Sequence, residues 1–163
     1  LEIVFNEGKG YQYYLRFKGL LELVAVPSKI DFGQGESTVG TMRKNDPTVT
    51  GNLVISDTRA DTTKNWTLKA ELTSPLTSLS GNTVIPDAIR YKRSGQAEFI
   101  LDANKQVMLA NNAGTFGTFN VSDTWGTGKD DAGFKFEAQA VKVHEIGTYQ
   151  ATIKYTLSDT YEP

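Results

Sequence analysis

Hydrophobic and polar residues alternate along much of this chain, most regularly in "YQATIKYTL". There Tyr149, Ala151, Ile153, Tyr155 and Leu157 share one face, and Gln150, Thr152, Lys154 and Thr156 the other. Successive side chains of extended backbone point to opposite sides, so a period of two predicts a strand buried on one face. "WTLKAEL" repeats the scheme, with Trp66, Leu68, Ala70 and Leu72 inward and Thr67, Lys69 and Glu71 outward. "FKFEAQA" predicts Phe134, Phe136, Ala138 and Ala140 inward against Lys135, Glu137 and Gln139. Less regular apolar runs predict further strands over residues 11–17, 20–26, 52–57, 97–102 and 106–110.

Clusters rich in glycine, proline, asparagine and aspartate separate these runs: "VPSKIDFGQGES", "RKNDPTVTG", "SGNTVIPD" and "DTWGTGKDDAG". Such residues favour turns. "DANK", from Asp102 to Lys105, fits a tight hairpin between two of the strands. A single helical turn is expected near "PDAIRY", with Pro86 early in it and Asp87 at its positive end. Many short strands between turn signals predict an all-β fold, an antiparallel β-sandwich or barrel-like domain with at most short helical turns. Residues 1–163 read as one domain, in which residues 1–19 are either an edge strand or the end of a preceding module. Strand order is not encoded in this pattern.

Charge narrows the set of partners. The 17 basic and 19 acidic side chains leave a formal charge of −2, without the basic surplus that neutralises nucleic-acid phosphates. No apolar run approaches the roughly 20 residues a membrane-spanning helix needs, so no membrane insertion is expected. The absence of cysteine removes disulfides, thiolate metal sites and a cysteine nucleophile while leaving the compartment open. Nothing resembling a signal peptide precedes Leu1, and the chain reads as a mature or excised piece.

Catalytic chemistry is hard to assemble from this sequence. His144, the single histidine, lies in "VKVHEIGTY", and no "GxSxG" elbow offers it a nucleophile, so it reads as a strand-end residue. "GTGKDD" lacks the spacing of a phosphate loop. Aspartates cluster at Asp57 and Asp61, and at Asp123, Asp130 and Asp131. Loops of this kind can coordinate calcium, but Asx turns account for them without an ion, so no cofactor is expected. Two sequons, at Asn65 and Asn120, are short enough to arise by chance. A binding module needs no perturbed acid and base, and the chain reads as non-enzymatic.

Several stretches occur in a telling order: "LELVAVPSKIDFG", "LVISDTR", "NWTLKAEL", "AGTFG" and "GTYQATIKYTLSDTYEP". Together they resemble the WxL domain of Gram-positive bacterial surface proteins, over about residues 20–163. On that resemblance the first WxL motif falls on Trp66, Thr67 and Leu68, and the second on Tyr155, Thr156 and Leu157, with tyrosine where the family has tryptophan. The resemblance implies a non-catalytic, extracellular module at the wall surface of a Gram-positive bacterium. It implies non-covalent association with peptidoglycan, and complexes with other WxL proteins and a membrane-anchored partner. The alternative is a structural stalk or adhesin domain whose contacts are to other surface proteins.

The two tryptophans invite different readings. Trp66 shares its face with Leu68, Ala70 and Leu72, opposite Lys69 and Glu71, and is expected to pack in the core. Trp125 sits in the polar loop "SDTWGTGKDD". It either caps one end of the sandwich or, with Asp123 and Lys129, forms a surface that stacks on sugar rings or docks a partner. Candidate binding residues are therefore the motif positions Trp66, Leu68, Tyr155 and Leu157, together with Asp123, Trp125 and Lys129.

Overall fold

The computed structural model describes residues 19–36, 40–143 and 145–160. The strand expected over residues 11–17 lies outside them, as does His144. Twelve strands run in chain order among the described residues: β1 Leu21–Ala25, β2 Lys29–Asp31, β3 Thr41–Lys44, β4 Thr48–Thr50, β5 Val54–Asp57 and β6 Asn65–Ser78. They continue as β7 Ile89–Lys92, β8 Glu98–Ile100, β9 Val107–Ala113, β10 Gly117–Asn120, β11 Gly133–Gln139 and β12 Tyr149–Ser158. The described helices are single 3₁₀ turns at Val121–Thr124 and Ala140–Lys142. The all-β antiparallel class predicted from alternation is the class observed.

The strands form three larger sheets, ordered β1-β5-β10, β3-β11-β7-β8 and β12-β6-β9, and a β2-β4 pair. Every ladder is antiparallel. One hydrophobic core collects Ile55 from β5, Leu68 from β6, Tyr91 from β7, Leu109 from β9 and Phe134 from β11. Ile153, Tyr155 and Leu157 of β12 pack against it half-buried. The predicted inward faces of β6 and β12 are therefore the ones that meet the core.

β6 is the long central strand of its sheet. Its Pro75 lacks the N–H a ladder requires, and the pairing with β12 is irregular there, between Gln150 and Thr152. Along the regular part, Leu157 stands opposite Leu68 and Tyr155 opposite Ala70, so the WTL and YTL triplets lie on neighbouring antiparallel strands.

Four local expectations fail for identifiable reasons. The "DANK" turn forms, with an Asp102–Lys105 bridge and Asn104 at φ 64°. It makes no hairpin, because β8 pairs with β7 and β9 pairs with β6; the turn carries the chain between two sheets. Near "PDAIRY" there is a tight turn with Asp87 at φ 58°, a left-handed conformation no right-handed helix contains, and Ile89–Lys92 is strand β7. Thr67, expected outward, is fully buried because the segment after β12 folds over it; its hydroxyl donates to the carbonyl of Thr160 at 2.8 Å. Lys135, also expected outward, is 0% exposed beneath loops that roof the outer face of its sheet.

Candidate functional site

The loops that cover Lys135 also frame a shallow cavity of about 240 Å³. Asp46, Pro47, Val49 and Asn52 contribute one side, from β4 and the chain around it, and Ser122, Asp123, Trp125 and Thr127 the other. Sites that enclose a small molecule are commonly about 300–1,000 Å³, so this cavity is smaller than a site that encloses one whole.

Trp125 is half-buried and held in place. Its Nε1 donates to the Tyr91 hydroxyl at 3.0 Å. The indole meets Phe134 edge-on, with centroids 5.3 Å apart and planes at 89°, and Tyr91 at 6.2 Å and 75°. Burial pushes the Tyr91 phenol up to about 12, so its oxygen stays a neutral acceptor throughout the neutral range. Gly133, at φ 122°, lets β11 start hard against this ring; a Cβ there would lie 3.2 Å from Trp125 Cβ and Cγ. The reading of Trp125 as an end cap and the reading as a surface residue thus each describe part of one ring, which packs on the core and lines the cavity.

Polar groups beside the indole are fixed by local bonds. Asn120 Nδ2 donates to Asp123 Oδ1 at 2.7 Å, and Ser122 Oγ donates to Asn120 Oδ1 at 2.6 Å. Ser122 Oγ in turn accepts from the backbone N–H of Leu53 at 3.1 Å, which ties this turn to the chain ahead of β5. Gly128 N donates to Asp131 Oδ2 at 2.8 Å, closing the glycine loop upon itself. A Cβ at Gly126 would come within 2.5 Å of that same oxygen.

Beneath the loops, the Lys135 ammonium donates to three backbone carbonyls: Asn45 at 2.9 Å, Gly128 at 2.8 Å and Gly126 at 3.2 Å. An ammonium has three N–H donors, and three oxygens receive them. Burial pushes its pKa below the ordinary lysine value; Asp131 opposes that shift, Arg43 adds to it, and Glu98 and Asp46 oppose it.

The remaining predicted residues lie elsewhere. Trp66 is 2% exposed and edge-on to Phe119 at 5.3 Å, and Leu68 is fully buried. Tyr155 and Leu157 are half-buried on β12, where burial raises the Tyr155 phenol above its ordinary range. These four motif positions therefore line the interior, whereas Asp123 and Trp125 line the cavity. Lys129 is exposed on the glycine loop, outside the cavity lining.

Among the described residues no group of three acidic or histidine side chains is placed to hold a metal ion. Asp57 is paired with Arg59, Asp61 accepts from Thr63, Asp130 from Lys92, and Asp131 from Gly128. No described helix is long and apolar enough to cross a membrane.

Sequence reasoning missed Asp46, Asn52, Tyr91 and Lys135. The glycines at 126 and 128 were the available signal for Lys135, since bare backbone exposes carbonyls to a cation. Comparison with protein-family models, curated proteins and solved structures finds no match for this chain. The resemblance to the WxL domain rests on the residues that carry it.

Proposed function

We propose that this chain is a non-catalytic module that holds its parent protein at the Gram-positive cell wall by non-covalent association with peptidoglycan. The observation carrying this reading is Trp125: an indole anchored by Tyr91 and Phe134, opening on a shallow cavity edged by Asp46, Asn52, Asp123 and Thr127. A flat apolar ring beside hydrogen-bonding groups matches the apolar face and equatorial hydroxyls of a pyranose. The ordered motif words that resemble the WxL domain support the same assignment. On this reading the WTL and YTL triplets build the sheet, and the loops meet the wall.

Purified domain incubated with sacculi tests the proposal, with and without added salt. Wild-type protein is expected to be retained. Trp125→Ala is expected to unfold cooperatively, as the wild type does, yet to lose retention. Failure of the wild type to sediment with sacculi rejects wall binding, and full retention of a folded Trp125→Ala moves the contact off this cavity.

A second reading has its own observation. Leu79, Val84 and Ile146 are exposed, Ile146 at 96%. They lie in segments joined by the Leu79 N–H to Thr148 carbonyl bond and by the Glu145 carboxylate, which accepts from Ser80 and Thr83. Exposed apolar side chains gathered in one place favour protein contacts. A stalk or assembly role, with other WxL proteins or a membrane-anchored partner, would use this region and be insensitive to Trp125→Ala.

A further inference from the structure

We infer that Lys135 is a tethered cation that sets the spacing of the two walls of the Trp125 cavity, and so acts as a positioning residue for whatever that cavity binds. The inference builds on the proposed role of the cavity, but its first readout needs no ligand.

The geometry is specific. The Asn45 carbonyl belongs to the connection between β3 and β4, which continues into Asp46 and Pro47 on one wall. The Gly126 and Gly128 carbonyls bracket Thr127 and follow Trp125 on the other. Residues 45 and 126 are far apart in sequence, and the ammonium bonds to both segments at once. Lys135 reaches them from β11, which is paired with β3 on one side and β7 on the other. Its anchor point is therefore part of the rigid sheet.

Three carbonyl dipoles pointed at one buried spot repel each other unless a positive charge lies between them. A metal ion would serve; here a side chain carries the charge and supplies one N–H per oxygen. Without it, the Asn45 and Gly126 carbonyls must turn toward water while Gly128 keeps the Asp131 N–H at 3.3 Å, and the two loops separate at this end, away from the Leu53–Ser122 bond that joins them at the other. Trp125, whose ring is fixed by Tyr91 and Phe134, stays behind while Asp46 and Thr127 move away from it. Arg43 extends the arrangement: its Nε donates at 2.7 Å to the side chain of Asn45, whose carbonyl takes the ammonium.

The test uses Lys135→Ala in a Trp66→Phe background, so that fluorescence reports Trp125 alone. The variant is expected to keep a cooperative unfolding transition, to show red-shifted emission, and to lose about tenfold or more in sacculus retention. Methylammonium chloride, which can place an N–H cation among the vacated carbonyls, is expected to restore both signals. Tetramethylammonium chloride, equal in charge but without N–H donors, is expected to restore neither. Unchanged emission in Lys135→Ala, or equal rescue by both salts, overturns the inference. If Lys135→Ala gives no cooperative transition, the same comparison is made with Lys135→Gln, which keeps two donors on a shorter stem. Should wild-type protein not bind sacculi, the retention assay rejects the wall reading alone, while emission and its rescue still decide the role of Lys135.

Discussion

Trp66 and Trp125 show how much one residue's neighbours decide. Trp66 lies in strict alternation, and its burial was legible because only one face of "WTLKAEL" lacks charge. Its Nε1 is buried without a hydrogen-bond partner, so the fold uses the ring's area and makes no use of its donor. Trp66→Ala is expected to destabilise by about 3–5 kcal/mol. Trp66→Phe should cost clearly less, since no hydrogen bond is lost; equal losses in urea unfolding would show that the indole N–H matters after all. Lys135 was illegible for the converse reason. Alternation says which side chains leave the core face, but not what loop later covers them. Asp57 carries a third residue-scale prediction. Its side chain is 1% exposed and accepts from Arg59 Nε at 2.8 Å and Nη2 at 2.7 Å, while Arg59 Nη2 also donates to the Asn65 carbonyl where β6 begins. The Arg59 guanidinium holds the Asp57 carboxyl below its ordinary value. A depressed folded pKa contributes stability that is fully present above the unfolded value of about 3.9 and is lost as pH falls through the folded value. Asp57→Ala is expected to cost about 3 kcal/mol at neutral pH. The gap between wild type and variant in urea midpoint should narrow as pH drops from 5 to 2, and a constant gap would contradict the assignment.

At the scale of elements, long strands were legible, and so were the short β1, β5 and β8, each marked by an apolar run; other short strands were not. β6, β11 and β12 carry seven or more residues of alternation, enough for the period to stand out. β2, β3, β4 and β10 have three or four residues, some within clusters that read as turns. Strands so short, with no apolar run to mark them, show no period, and their existence depends on a partner distant in sequence, as with Lys29 opposite Thr50 or Thr41 opposite Gln139. Turns misled in the opposite sense. Proline followed by aspartate is a good helix start, and "PDAIRY" predicts one, but β7 is needed between β11 and β8 and the sheet prevails. The left-handed backbone at Asp87 and Asn104 gives a direct check. Asp87→Gly and Asn104→Gly are expected to be neutral or slightly stabilising, because glycine adopts positive φ without steric cost. A β-branched residue at either place, such as Asp87→Val, should lower stability by about 1–2 kcal/mol. Denaturant midpoints of these variants measure the difference, and a tolerated valine would mean that the turn relaxes out of the left-handed region.

Across the whole molecule, strand order was the largest piece the sequence withheld, and charged side chains help to hold that order. On the β3-β11-β7-β8 sheet, one charge comes from each strand: Arg43, Glu137, Arg90 and Glu98. Arg43 pairs with Glu98 and, at 3.0 Å, with Glu137; Arg90 pairs with Glu137 at 2.9 Å and approaches Glu98 at 3.6 Å. The result is a closed ring of alternating sign whose members are 19–32% exposed, shielded more than a surface pair yet still within reach of salt. Arg43 holds the Glu98 carboxyl below its ordinary range. A ring differs from isolated pairs in its coupling. Glu137→Gln leaves two guanidiniums sharing Glu98 alone, so their mutual repulsion is no longer balanced. Removing Arg43 as well relieves that repulsion, and the double variant should be more stable than the sum of the two single losses predicts. A coupling of about 1 kcal/mol is expected in dilute buffer, shrinking as salt shortens the screening length to about 3 Å at 1 M. Urea unfolding of wild type, Glu137→Gln, Arg43→Gln and the double variant at low and high salt measures it. Strict additivity at both would reduce the ring to four independent surface charges and leave the sheet order to backbone pairing and the core alone.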